Sequence, residues 1–263
     1  MEPLNPHSGS LVLTALKGIP LIRQGDNLAD IILFGLGANG LALEENDILV
    51  IGQKIVSKAE GRMVNLATIE PSDRARELAE RTDKDPRVVE LMLGESREVL
   101  RARQGTIIVE HKLGFICANA GIDHSNVAGP GTEDGEYVLL LPCDPDLSAR
   151  QIRARLEQAA SKHIGVMIID SHGRAWRLGV VGKCIGLAGV PGLIDERGWK
   201  DLFGYTLRMT TVAVADELAA AASLVMGQAA ESTPVIHVRG FPYPLRDSSL
   251  KELLRPREQD LFR

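Results

Sequence analysis

The sequence predicts an α+β protein with mixed sheets and flanking helices, on three observations. Short apolar, β-branched runs are interspersed with amphipathic stretches, but the two kinds do not alternate as a βαβ series would require. Gly is abundant, at 26 of 263 residues, while aromatic residues make up only 4%, a composition that favours many tight backbone turns. No internal repeat, heptad run or low-complexity segment suggests a solenoid or a coiled coil.

In chain order, residues 1–10 read as an N-terminal tail, and Leu11 to Leu16 as a strand closed by Gly18-Ile19-Pro20. Asp26 is the expected N-cap of a helix with Leu28, Ile31 and Ile32 on its apolar face, ending between Gly35 and Gly40. Asp47 to Ile51 is a short buried strand that runs through Gly52 into Gln53-Lys54-Ile55-Val56-Ser57-Lys58-Ala59-Glu60-Gly61-Arg62. Such a strand end can offer amines and backbone N–H groups to phosphate, although the G-x-x-x-x-G-K-[ST] P-loop is absent. Lys54, Lys58 and Arg62 recur at spacing four and on a helix would share one face; a solvated basic face is the competing reading.

Residues 71–103 read as helical and charged, with Pro71-Ser72-Asp73 opening one helix and Asp85-Pro86 a second through Val88, Leu91 and Met92. Thr106 to Glu110 and Phe115 to Ala118, parted by Lys112-Leu113-Gly114, form a β-hairpin. The hairpin discharges into Asn119-Ala120-Gly121-Ile122-Asp123-His124-Ser125-Asn126, where Gly121 permits positive φ and Asp123, Ser125 and Asn126 offer oxygens and amides. That set suits a hard divalent cation or phosphate oxygens, and equally an Asx-type turn.

A Gly/Asp-rich loop from Gly129 to Gly135 precedes a strand over Tyr137 to Leu141, and Asp146 or Ser148 caps a helix with Ile152, Leu156 and Ala159 on one face. Ile164 to Ile169 is a buried strand ending in Asp170-Ser171-His172-Gly173-Arg174, so a second carboxylate arrives at a strand end. Two such carboxylates, Asp123 and Asp170, raise the prospect of a shared cation site. Beyond a Gly-rich stretch, Thr206 to Val212 is strand-like, Asp216 to Met226 helical, and Pro234 to Val238 a last strand. The 11–240 region is the expected domain, divisible near residue 104 or between 145 and 163, and residues 241–263 read as a polar, mobile tail.

Composition narrows the function classes. Hydrophobic residues at 44% and charged residues at 25% are those of an ordinary soluble protein. A formal net charge of −5 gives no electrostatic reason to expect nucleic acid, so an acidic substrate needs local positive charge or metal ions. Cys117, Cys143 and Cys184 form no C-x-x-C pair; all three are expected to be small buried residues in a reducing cytoplasm. The Met1 to Pro6 segment lacks the features of a signal peptide, and no apolar run approaches the ~20 residues a membrane span needs.

Taken together, five strings make a pattern: Lys17-Gly18-Ile19-Pro20-Leu21-Ile22, Gln53 to Arg62, Asn119 to Asn126, Asp170 to Arg174 and Met226-Gly227-Gln228. The pattern resembles the coenzyme F420:L-glutamate ligase (F420-0:γ-glutamyl ligase) family over roughly residues 11–240, Ser-Lys-Ala-Glu-Gly-Arg and Asn-Ala-Gly-Ile-Asp-x-Ser-Asn being its most specific strings. The resemblance implies a ligase forming carbon–nitrogen bonds. It joins L-glutamate through its amine to a carboxylate of the deazaflavin precursor, in its F420-0 or dehydro form, and turns GTP into GDP and phosphate. The implied route is an acyl phosphate made from the GTP γ-phosphoryl group. Two Mg²⁺ or Mn²⁺ ions, with K⁺ as an optional further cation, and an intertwined homodimer belong to the same expectation.

Carried over by position, Asp123, Asp170 and Lys58 take the catalytic roles, and Asp123, Asp170, Ser171 and Gln228 the metal positions. Ile19, Pro20, Leu21, Ile22, Gln53, Lys54, Lys58, Asn126, Met226, Gly227 and Gln228, within a last segment reaching Thr233, resemble the guanine-nucleotide contacts. Gly52 stands where Ser or Thr is common, Gln228 where some members have Glu, and His172 at a variable position. Two other readings stay open at this point. One is another metal-dependent phosphoryl-transfer enzyme, marked by GTP hydrolysis independent of glutamate and acceptor. The other is a non-catalytic deazaflavin-binding module in which Asp123 and Asp170 only form turns.

Overall fold

The computed structural model describes residues 9–127, 129 and 137–261. The expected structure of residues 1–8, and of the Gly129 to Gly135 loop beyond Gly129 itself, lies outside the described residues. The chain runs β1 (Val12–Ala15), α1 (Leu28–Ala38), β2 (Ile48–Gly52), α2 (Gln53–Ala59), β3 (Met63–Asn65), α3 (Asp73–Thr82), α4 (Pro86–Gly94), β4 (Ser96–Arg103), β5 (Thr106–His111), β6 (Ile116–Ala118) and β7 (Tyr137–Leu139). It continues through α5 (Pro145–Ala160), β8 (Gly165–Arg174), β9 (Arg177–Ala188), β10 (Ile194–Asp195), β11 (Thr211–Val212), α6 (Val214–Met226) and β12 (Val235–Arg239).

The main sheet has five strands in the order β1-β12-β2-β8-β9. Every neighbouring pair is antiparallel except β2 and β8, which run parallel with Gly52 opposite Ile169. The expectation of an α+β fold with mixed sheets is thus met, and the apolar runs have a physical reason. Leu49 and Ile51 of β2 and Val166 and Ile168 of β8 join the core under α1 and α5, while Ile48, Val50, Met167 and Ile169 join the core under α6. A sheet buried on both faces needs apolar residues at every position, not at alternate ones. A third core gathers α3, α4 and the antiparallel sheet β4-β5-β6, and Phe115 touches all three cores. Among the described residues no helix is long and apolar enough to cross a membrane.

One buried network pins the start of β2. The Asp47 carboxylate, 1% exposed, accepts hydrogen bonds from Arg239 Nε (2.9 Å) and Nη2 (2.8 Å), from His237 Nε2 (2.8 Å) and from the Glu44 N–H (2.8 Å). Burial pushes its carboxyl up, but these donors outweigh burial and hold it well below the usual carboxylate range. The last strand β12 is thereby tied to the middle of the sheet.

Several expectations are corrected. Residues 96–103 are not helical but form the edge strand β4. The cap of α1 is Asn27, whose Oδ1 accepts from the Ala29 N–H, while Asp26 instead accepts from the Arg23 N–H. The cap of α5 is Asp144, with Pro145 following it; Asp146 accepts from the backbone of Leu187 and Leu250, and Ser148 donates to Glu60. Ala149 rather than Ala159 completes the buried face of α5. Of the Thr206 to Val212 stretch only Thr211–Val212 is a strand. Cys143 is exposed, whereas Cys117 and Cys184 are buried. The segment after Gly240 is docked: Phe241, Leu245, Leu250, Leu253 and Leu254 pack on the α6 side of the sheet.

Candidate active site

The parallel pairing of β2 with β8 sets side by side the residues that follow Gly52 and those that follow Ile169. Gln53 therefore begins α2 beside Asp170, where the parallel pairing of β2 with β8 ends. Asp170 is not at the end of its strand as expected. The β8 strand continues through Ser171, His172, Gly173 and Arg174, paired along the whole stretch with β9.

Asp123 comes from the other side. Asn119, Ala120 and Gly121 all take positive φ (52°, 52° and 65°), turning the chain sharply after β6. Gly121 is required twice over, because a Cβ there would also meet Leu141 Cδ1 at 2.7 Å. Asp123 is then fixed by two backbone hydrogen bonds with Leu139, of 3.0 and 2.9 Å. Gln53, 1% exposed, donates from Nε2 to Asp123 Oδ2 at 2.6 Å, and Ser57 donates to Gln53 Oε1 at 2.9 Å, which keeps the amide nitrogen facing the carboxylate. Lys54 Nζ stands 3.3 Å from Asp123 Oδ1 and donates to Ser125 Oγ (2.8 Å) and Ser125 O (3.1 Å). Lys58 Nζ donates to Asn126 O at 2.8 Å, and Asn126 Nδ2 to Ala229 O at 3.0 Å.

The electrostatics follow from this crowding. Burial first, and then the neighbouring Asp170 carboxylate, push the Asp123 carboxyl up to about 6, against the pull of Lys54 and Gln53. Burial and the Lys54 ammonium lower the Lys58 pKa, with Asp123 opposing them. The Asp123 carboxylate is short of compensating positive charge, the condition a cation relieves. Ser171 donates to Gln228 Oε1 at 2.8 Å, and Gln228 Nε2 donates to Ser223 Oγ at 3.0 Å. Asp123, Asp170, Ser171 and Gln228 are all hard oxygen donors. Among the described residues no group of three or more His, Cys, Asp or Glu gathers as a metal site. This sparse oxygen set fits Mg²⁺ or Mn²⁺ completed by water and substrate phosphate, rather than an all-protein cage.

The third side of the site is the end of α6. Gly227 takes φ 77° and ψ −179°, a conformation reserved for glycine, and a Cβ there would meet Glu231 Cδ at 2.3 Å. Met226 packs against the end of β2, where a Cβ at Gly52 would lie 3.1 Å from its Sδ, a contact that a small shift of the flexible Met226 side chain relieves.

Asp123, Gln53, Lys54, Lys58, Asn126 and the Met226 to Gln228 turn are thus joined to one cluster with Asp170 and Ser171. Arg62 does not share the lysine face. It lies beyond α2, donating to Leu141 O at 2.8 Å and pairing with Glu95. Among the described residues no hydrogen bond or ion pair joins Ile19, Pro20, Leu21 or Ile22 to the cluster; Ile22 is buried and Leu21 exposed. Sequence reasoning missed Ser57 as a support for Gln53, although their spacing of four on a helix was a usable signal. It also missed Glu60, which accepts from the Cys143 N–H (3.0 Å) and Ser148 Oγ (2.6 Å) and so fixes the far end of α2.

The profile of the F420-0:Gamma-glutamyl ligase family matches residues 18–240 of this chain. Coenzyme F420:L-glutamate ligase of Methanothermobacter thermautotrophicus is 49% identical over 253 residues, covering 95% of this chain and 98% of its own. The proteins of the same name from Methanopyrus kandleri and Methanocaldococcus jannaschii are 46% and 41% identical, over 97% and 93% of this chain and 100% and 94% of their own. The site described above thus sits in an enzyme of the ligase class. More particularly, the chain belongs to the F420-0:γ-glutamyl ligase family.

Proposed function

We propose that this protein joins L-glutamate, through its amine, to the carboxylate of the deazaflavin F420 precursor, consuming GTP and releasing GDP and phosphate. The observation that carries the reading is the meeting of Asp123 and Asp170 with the amines of Lys54 and Lys58 in a family member matched over nearly its whole length. Lys54 and Lys58 hold the nucleotide phosphates as point charges, and their anchoring to Ser125 and Asn126 aims them before the nucleotide arrives. Asp123 and Asp170, with Ser171 and Gln228, hold the divalent ions. Those ions supply the charge neutralisation that phosphoryl transfer demands. The γ-phosphoryl group passes to the acceptor carboxylate, and the glutamate amine displaces phosphate from the resulting acyl phosphate.

The functional unit in this reading is a homodimer. Trp176 (88% exposed), Leu178 (98%) and Val180 (58%) stand out on the β8–β9 hairpin, a run of large apolar side chains that a second copy would cover. Light scattering of the purified protein reads the stoichiometry directly.

The function is tested by incubating the protein with the precursor, GTP, Mg²⁺ or Mn²⁺, and L-glutamate, and following the mass of the precursor. Glutamylated product with stoichiometric GDP, lost when any one component is omitted, is the expected result. GTP hydrolysis that ignores glutamate and acceptor would instead assign a different phosphoryl-transfer enzyme.

A further inference from the structure

We propose that His172 is the positioning residue for Asp170, holding one oxygen of its carboxylate so that the other would be left to ligate a cation. The proposal rests on Asp170 being a metal carboxylate, as assigned above. His172 Nε2 lies 2.9 Å from Asp170 Oδ2, and both side chains are largely enclosed, at 6% and 11% exposed. An ionised carboxylate only accepts, so Nε2 carries the proton of this hydrogen bond. The two residues are neighbours two apart on β8, on the same face of the strand, with His172 opposite Val181 of β9.

The ring itself has little freedom. Phe115, the residue common to all three cores, packs on it with ring centroids 5.1 Å apart and planes tilted by 50°. Phe115 is in turn stacked on the buried His111 at 5.3 Å and 9°. His172 is therefore held where the three cores meet, and through its Nε2 it holds Asp170. The same device occurs on the other carboxylate, where Gln53, oriented by Ser57, occupies Asp123 Oδ2. Each carboxylate has one oxygen engaged by a buried donor. Outer-shell partners of this kind orient metal ligands, and losing one typically lowers metal affinity about 10–100-fold.

The test compares His172→Phe, which keeps a ring against Phe115 but removes the donor, with His172→Gln, whose amide restores a donor near the Nε2 position. Mn²⁺ binding to the nucleotide-free, full-length protein is measured by calorimetry or by the signal of free Mn²⁺ in electron paramagnetic resonance, with melting curves alongside. The expected result is an affinity loss of about 10–100-fold for His172→Phe, largely recovered in His172→Gln, with all three proteins melting cooperatively. In turnover, His172→Phe should raise the apparent KM for metal more than it lowers kcat. Wild-type Mn²⁺ affinity in His172→Phe, or a loss in His172→Gln as deep as in His172→Phe, overturns the positioning role. Asp170→Asn separates the two levels. If it lowers Mn²⁺ affinity while His172→Phe does not, only the positioning role falls; if it leaves affinity unchanged, the metal assignment and the positioning role fall together.

Discussion

Replacing Asp123 with Asn should make the metal-free protein more stable while it destroys activity. The folded protein holds the Asp123 carboxyl near 6, against 3.8 for the free group, with the side chain 26% exposed. Each unit of displacement is worth 1.36 kcal/mol, so the ionised carboxylate weakens the metal-free fold by roughly 3 kcal/mol at neutral pH. The raised value means that the folded state binds the proton more tightly than the unfolded chain does. The penalty is absent below about pH 4, grows between about 4 and 6, and is constant above that. Asn keeps an oxygen to accept from Gln53, and Lys54 keeps its two bonds to Ser125, so little else is lost. For a chain of this size the gain corresponds to a rise on the order of 6–12 °C in melting temperature. The assay is thermal melting of EDTA-treated protein at pH 7.5, 5.5 and 4.0, repeated with Mg²⁺, which should raise the wild type more than the variant. An Asn variant no more stable than wild type at pH 7.5, or a gain that persists undiminished at pH 4.0, would refute the account of Asp123 as a carboxylate short of compensating charge.

Lys58→Ala should weaken GTP binding by about 1.5–3 kcal/mol, the worth of one charge-assisted hydrogen bond, as read by calorimetry; unchanged affinity would remove Lys58 from the nucleotide site. Gln228→Glu adds a carboxylate where Ser171 now donates to an amide oxygen, and should tighten Mn²⁺ binding in the absence of nucleotide; identical isotherms would take residue 228 out of the metal shell. Asp47→Asn leaves the buried His237 and the part-exposed Arg239 without their anion and should destabilise the fold by about 1–3 kcal/mol in urea unfolding at pH 7. Because the Asp47 carboxyl is held low, that gap should be fully present from the normal carboxylate range upward and close only in stronger acid.

The parts of the fold legible in sequence were those where one local rule acted alone. Helices open at Ser72 and Asp85 as read, because each side chain accepts from a first-turn backbone N–H and a helix-forming run follows it. The strand Ile48–Gly52 stands out because burial on both faces leaves no room for polar residues, and Val235–Arg239 departs from that pattern only at His237 and Arg239, which bind Asp47. The edge strand β4 was hidden by its chemistry: Ser-Arg-Glu-Val-Leu-Arg-Ala-Arg carries four charges, and two register shifts break its alternation, so no period of two survives. The extension of β8 through Ser-His-Gly-Arg was hidden for another reason, since its pairing is supplied by a distant strand and not by its own composition. In the site, the strings marked the right places but not the division of labour within them. In Ser57-Lys58-Ala59-Glu60-Gly61-Arg62, only Lys58 faces the cluster; Ser57 orients Gln53, and Glu60 and Arg62 bind neighbouring segments. Which side of a helix end a residue serves depends on tertiary neighbours that spacing does not encode.

The anchoring of the two lysines to the loop after Asp123 bears on conformational entropy. A free lysine side chain samples many rotamers, and stilling one on binding typically costs about 0.5–1.5 kcal/mol. Here Lys54 is held by Ser125, and Lys58 by the carbonyl of Asn126, while the Asn126 amide is itself fastened to Ala229 at the end of α6. Folding has already immobilised both chains, and an ammonium with three donors keeps spare hydrogens for an incoming anion. Any anion that enters this site therefore meets a surface whose disorder has been removed in advance, and its charge contributes to affinity with little loss to ordering.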